Sequence, residues 1–347
     1  MFRLSDVLGG KGTPEEPEQP AGTKPAAPEP SAESAPPPPK LRPETARALT
    51  NLEALYDKLL ACVKKLFAQA RTDQPLTLSE ARTLVAQLPQ VKEERCEVIL
   101  MLVGRHSDEN YLYSHSVNVA LLANHLGHCL GHAGEPLTQL ALAALAHDIG
   151  MAGEAEQVAE APRKLTQEEW KTITQHPQES VKRLKDAQQL SQEALQAVAS
   201  HHEREGGQGY PAGAQTSALN EFAKILAVCD VYDAMTHPRS HRKRYSPAQA
   251  IKVLIDGVGD VFDRRVVKAL VDDLSLYPRG SRVRLNTNEI GVVETVHPGA
   301  PLRPVILVSH DATNTPLVEP RRVNLLDQPF IYVKEIVTDE DTPATSS

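Results

Sequence analysis

The stretch Ala141–Gly150, "ALAALAHDIG", decides the fold. Six apolar residues run in helical fashion, and then an imidazole and a carboxylate arrive together at His147 and Asp148. A charge at the end of an apolar helix needs a partner or a metal to offset its desolvation. The pattern recurs in "FAKILAVCDVYDAM", where Asp230 follows a second apolar run. One such acid reads as a structural ion pair. Two apolar helices, each ending in an acid, make a metal the better explanation.

Histidines supply the remaining donors. The strings are "HSVNVA" with His115, "TQHPQES" with His176, and "ASHHERE" with His201 and His202. Taken singly, His115 on an apolar helix reads as a hydrogen-bonded core residue. His201 and His202 add geometry, because successive helical residues point about 100° apart. Adjacent imidazoles share one ion poorly and reach two neighbouring ions well. Neutral imidazoles plus carboxylates suit iron, manganese or zinc, and bridging carboxylates are common in two-metal sites. His125, His128 and His132 in "NHLGHCLGH" lack an accompanying acid and read as surface or helix-capping residues. His106, His237, His241, His297 and His310 sit in turn-like or strand contexts and read as ordinary polar positions.

Around this region the chain of 347 residues organises into further units. Residues 1–43 hold eleven of the 27 prolines and are too poor in apolar residues to order, which predicts a disordered tether. Residues 44–108 read as a helical N-terminal region. Leu52, Leu55, Leu59, Val63 and Leu66 recur at helical steps, and Thr77 with Glu80 suggests a capping box for a second helix through Leu88. Residues 109–277 stay helical, with capping boxes expected at Thr166/Glu169 and Ser246/Gln249 and Pro247 at a first helical position. Residues 278–338 change to alternating, β-branched runs and predict a small β-rich domain, and 339–347 form a polar tail.

The net charge of −8 argues against duplex nucleic acid as main partner. No window has the apolar length of a membrane span and no signal core opens the chain, so the expectation is a cytoplasmic protein. Four cysteines form no CxxC pair, and Cys62, Cys129 and Cys229 read as reduced core thiols.

From Tyr111 to Ala269 the sequence resembles the HD-GYP family, metal-dependent phosphodiesterases that act on cyclic di-GMP. The resemblance rests on "HS", "HDIG", "HP", "HHER", "GYP", "DVYDAMT" and "FDRRVV" in family order and spacing. It implies a mainly α fold: a helical HD-domain bundle, here with a helical N-terminal region and a small β-rich C-terminal domain. It implies a site of two divalent ions, iron or manganese, held by His115, His147, Asp148, His176, His201, His202 and Asp230. Asp148 would bridge them, and His147 with Asp148 would form the catalytic pair. A hydroxide between the ions would attack phosphorus opposite the 3′ oxygen, releasing pGpG and then GMP.

The loop with Gly206, Gly207, Gly209, Tyr210 and Pro211 would hold the dinucleotide, Tyr210 stacking on guanine while the glycines let the backbone approach. Arg204, Arg239 and Arg242 are candidates for phosphate or guanine contacts, with surface salt-bridging an equal reading. A homodimer and signalling partners docked on this loop are further expectations.

Departures from the family pattern matter. Met151 replaces a lysine, "APR" at Ala161–Arg163 replaces "KPG" with Lys164 nearby, and Gly206 replaces an acid. Tyr111 stands where three-metal members carry a glutamate, which favours two ions. Met151 and Gly206 motivate the alternative of a catalytically weak cyclic di-GMP sensor or partner-docking module.

Overall fold

The structure is a computed structural model. It describes Pro43–Val337 except residues 73, 89–95, 104–110, 160–162, 164, 215–217, 238–244, 246, 274–276, 278–279 and 298–299. The expectations for the Pro-rich segment, the polar tail, Arg239, Arg242, His106, His241, Lys164 and the cap at Ser246 lie outside the described residues.

Helix α1 (Pro43–Arg71) follows from its apolar stripe. Leu52, Leu55, Leu59, Val63 and Leu66 are all buried, joined on the same face by Tyr56 and Phe67. Each such side chain fully buried contributes about 1.5–3 kcal/mol. Two short helices follow, α2 (Ser79–Val85) and α3 (Cys96–Val103). The capping box expected at Thr77 does not form. Leu78 is the cap residue, with no side-chain bond, and Glu80 is drawn away by Lys65 Nζ at 3.0 Å.

The central layer pairs α4 (Tyr111–Cys129) with α5 (Gly134–Ala146) and α10 (Glu221–Thr236). These helices are buried on nearly every side, which is why their sequences lack a polar stripe. Between them run α6 (Glu154–Ala159), α7 (Gln167–Thr174), α8 (His176–Lys185) and α9 (Gln192–Ser200). The expected box at Thr166 forms in full: its hydroxyl accepts from Glu169 N–H at 3.2 Å, and Glu169 accepts from Thr166 N–H at 2.8 Å. Helices α11 (Pro247–Asp256) and α12 (Arg264–Asp273) complete the bundle. No helix among the described residues is long and apolar enough to cross a membrane.

The β-rich segment is a five-stranded antiparallel sheet of order β4-β3-β2-β1-β5. Its strands are β1 (Arg282–Leu285), β2 (Ile290–His297), β3 (Ala300–His310), β4 (Pro316–Asn324) and β5 (Val333–Ile336). It has its own core around Val283, Leu285, Val293, Ile306 and Val308, and Tyr277 packs against both this core and the helical one.

Two side-chain placements differ from expectation. Cys129 is exposed at the end of α4, whereas Cys62 and Cys229 are buried. His125 is buried rather than superficial, because it faces inward from the buried body of α4.

Candidate metal centre

Four helix ends and two helix bodies meet at one point. His147 caps the C-terminus of α5 and Asp148 follows it. His176 stands at the break between α7 and α8, and His201 caps α9 with His202 next to it. His115 comes from the body of α4 and Asp230 from the body of α10. The break at His176 is tight: Gly150, in the turn after Asp148, sits where a Cβ would lie 2.3 Å from the His176 carbonyl oxygen. Ser180 locks the same junction, donating to the His147 carbonyl at 2.6 Å and accepting from Gly150 N–H at 2.8 Å.

Asp148 divides the donors into two sets. Its Oδ2 lies 3.3 Å from His147 Nε2 and 3.8 Å from His115 Nε2. Its Oδ1 lies 3.1 Å from His176 Nε2 and 3.7 Å from His201 Nε2. Two groups of donors result, each within 4.8 Å: His115, His147 and Asp148, and Asp148, His176, His201 and His202. Asp230 spans the same divide, with Oδ1 3.1 Å from His115 Nε2 and Oδ2 3.7 Å from His202 Nδ1.

Ring orientation is set behind the donors. His147, His176 and His201 each turn Nδ1 to the carbonyl three residues earlier, Ala144, Ile173 and Val198, at 2.8, 2.7 and 2.7 Å. A ring that donates from Nδ1 presents an Nε2 lone pair, the tautomer a metal takes. His115 turns its Nδ1 to Asp233 Oδ2 at 2.7 Å instead.

Electrostatics separates the two sides. Burial works against the charge of Asp148, but His147, His176 and His201 outweigh it and hold the carboxyl well below its usual range. Burial, with His147 and His176 as like-charged neighbours, pushes His201 down to about 4, and burial with His201 and His176 also holds His202 well below its ordinary value. His115 and His147 are raised despite burial, by Tyr111, Asp230 and Asp233 in one case and Asp148 in the other. His147 Nε2 and Asp148 Oδ1 are buried and make no hydrogen bond of good geometry. Five imidazoles and two carboxylates converge with orphaned central atoms, so the donor set fits metal ions rather than a self-satisfied polar core.

The neighbouring loop takes a form the sequence does not disclose. Arg204 is buried, donating Nη1 to the carbonyls of His201 and Glu203 at 3.1 and 2.9 Å, with its guanidinium 5.8 Å from the Phe262 ring centre. Through these contacts Arg204 braces the loop internally. Glu203 accepts from Ala212 and Ala214 N–H at 2.7 and 2.8 Å and clamps the far side of the loop. Gly206 N–H donates to the Asp260 carbonyl, and Gly207 takes φ of +74° with its N–H on the Arg204 carbonyl.

Gly209 is required by the chain itself, since a Cβ there would lie 2.3 Å from the His202 carbonyl oxygen. The Tyr210–Pro211 peptide is cis. Tyr210 stacks on His202 with ring centres 4.6 Å apart and meets Trp170 edge-on at 6.1 Å. One face of the Tyr210 ring is therefore covered by His202.

Met151 is buried in the core, and Tyr111 stacks on His115 at 5.1 Å. Sequence reading missed Asp233, His237 and Trp170. Asp233 was detectable, because it follows Asp230 by one helical step of three on the same face. His237, given an ordinary reading, is buried with Nδ1 3.3 Å from Asn118 Nδ2.

A family model described as "HD domain" matches residues 78–266, and one described as "KOW domain associated with HD domain" matches 282–344. The cyclic di-GMP phosphodiesterase PA4108 of Pseudomonas aeruginosa is 33% identical over 74% of this chain and 62% of its own length. The cyclic di-GMP phosphodiesterase PdeB of Borreliella burgdorferi is 29% identical over 57% of this chain and 52% of its own. The chain thus spans between half and two thirds of these relatives. The solved structure of an HDG"Y"P protein from Bdellovibrio bacteriovorus superposes with a TM-score of 0.52 at 17% identity, covering 65% of this chain and 72% of that one, a likeness of fold. With the HD-domain match over more than half of the sequence, and its HD pair and GYP loop meeting at one centre, the chain belongs to the HD-domain family and to its HD-GYP group.

Proposed function

We propose that the protein is a metal-dependent cyclic di-GMP phosphodiesterase that opens the ring to pGpG and continues to GMP. The observation that carries the reading is Asp148, whose two oxygens face two separate sets of imidazoles. His115, His147, Asp148 and Asp230 would hold one divalent ion, and Asp148, His176, His201 and His202 the other, with iron or manganese the metals that suit these donors. When bound, such ions supply Lewis-acid polarisation of the phosphate and a nucleophile at neutral pH.

The chain's own residues do the rest. Carbonyls of α5, α7 and α9 hold three imidazoles in the donor tautomer. Tyr210 and Trp170 form an aromatic wall beside His202 against which a base packs. Water adds across the P–O3′ bond, leaving a 5′-phosphate on one nucleotide and a hydroxyl on the other. Met151 is buried and carries no proton, so position 151 does not protonate the leaving oxygen.

Incubating Mn²⁺- and Fe²⁺-loaded protein with cyclic di-GMP should consume it and yield pGpG by chromatography, and His147→Ala should stop consumption. Tight nucleotide binding by calorimetry with no turnover in either metal form would select the sensor reading instead.

A further inference from the structure

His115 differs from His147, His176 and His201 in that its Nδ1 meets a carboxylate of another helix instead of a carbonyl of its own. Tyr111 of the same helix stacks on the ring and brings its hydroxyl to 3.2 Å from that Nδ1. The carboxylate is that of Asp233, whose Oδ2 lies 2.7 Å from His115 Nδ1. Asp233 Oδ1 accepts from Asn118 Nδ2 at 2.9 Å, and Asn118 Oδ1 accepts from the Tyr56 hydroxyl at 3.0 Å. Tyr56, Asn118 and Asp233 are each 5% exposed or less. The direction of the chain is fixed at both ends. Tyr56 donates to the amide oxygen and the carboxylate takes the amide N–H, so both partners enforce one orientation of Asn118. Tyr56 lies on α1, which carries none of the proposed ligands. The same helix makes a second tie at its far end, where Arg71 holds Glu156 and the Tyr113 hydroxyl, each at 2.6 Å.

Resting on the two-ion reading above, we propose that Asn118 and Tyr56 are positioning residues through which α1 sets the His115 ring and thereby the affinity of one ion subsite. The imidazoles of His176 and His201 are oriented by backbone carbonyls, and the relay from Tyr56 does not reach them. Carboxylates and amides behind a ligating histidine fix its tautomer and raise its basicity, and losing them weakens metal binding roughly 10-fold or more.

The test is a Mn²⁺ titration of the metal-depleted full-length chain, followed by electron paramagnetic resonance, with melting temperature recorded alongside. Asn118→Leu should weaken one of two Mn²⁺ ions by about 10-fold and leave the other unchanged. Tyr56→Phe, which keeps the ring and its packing, should shift the same ion in the same direction by a smaller factor. Tyr113→Phe removes a neighbouring hydroxyl outside the relay and should leave both affinities as in the wild type. Variants that leave both ions untouched, or weaken both equally, overturn the relay while the two-ion reading stands. A wild-type chain that binds fewer than two Mn²⁺ overturns that reading, and this proposal with it.

Discussion

Gly150 shows how much a single position carries in this site. Its missing Cβ lets the turn after Asp148 sit against the His176 carbonyl oxygen and the Ser180 nitrogen, which a Cβ would meet at 2.3 and 2.5 Å. Neither obstacle is a flexible side-chain end, so backbone has to move. Gly150→Ala should therefore cost about 1–3 kcal/mol in urea unfolding and, on the proposed two-ion reading, weaken metal binding at the His176 donor set. An unchanged denaturation midpoint would show that the turn yields freely. The sequence made the donors readable at this scale, because a charged pair at the end of "ALAALA" has no other comfortable home. It hid Arg204. Nothing in "HHERE" distinguishes an arginine that reaches for phosphate from one stacked on Phe262, since that choice depends on a residue 58 positions away.

Helix α12 depends on one carboxylate. Asp263 accepts from Arg265 and Val266 N–H at 2.8 and 3.1 Å, and Lys224 of α10 approaches to 3.0 Å. Burial opposes the charge of Asp263, but Lys224 and the two backbone donors outweigh it, so its carboxyl lies below the usual value. A folded-state pKa held below the unfolded one gives stability that is present above the unfolded value, near 3.9, and is lost as pH falls through the folded one. Asp263→Ala should cost about 1 kcal/mol near pH 7, and its deficit against wild type should narrow as the pH drops below about 4. A deficit constant across that range would assign the loss to packing alone. Lys224 also approaches Glu205 at 3.7 Å, which ties the loop after His202 to this helix. At the scale of elements, helical periodicity announced α1, a capping box α7 and Pro247 the start of α11, whereas the short α2 kept its helix without the predicted cap, its Glu80 pairing with Lys65. Local signals fail where a tertiary ion pair competes for the same carboxylate.

Across the whole chain the helical body and the sheet have separate cores, joined at Tyr277. The switch from a period of three or four residues to a period of two marked that division in the sequence, but strand order did not follow from it. Strands β1 to β4 pair as sequential neighbours, and only β5 returns over a long range to add an edge beside β1. Metal removal should act on one body only. Chelation should lower the melting transition of the helices, by about 2.7 kcal/mol if the ions had been present at 100-fold over their dissociation constant, and leave the sheet transition in place. Two transitions moving together in calorimetry would mean that the bodies unfold as one. The three imidazoles bonded to carbonyls of α5, α7 and α9 have a further consequence, in the order of events. They mark three helix C-termini aimed at a common point, each with the negative end of its dipole inward and two carboxylates beside them. With the N-terminus of α8 the single opposing end among the described residues, such a cradle favours cations over an anionic ligand. On the proposed two-ion reading, ions would enter before an anionic nucleotide, and cyclic di-GMP binding measured by calorimetry should then require added Mn²⁺.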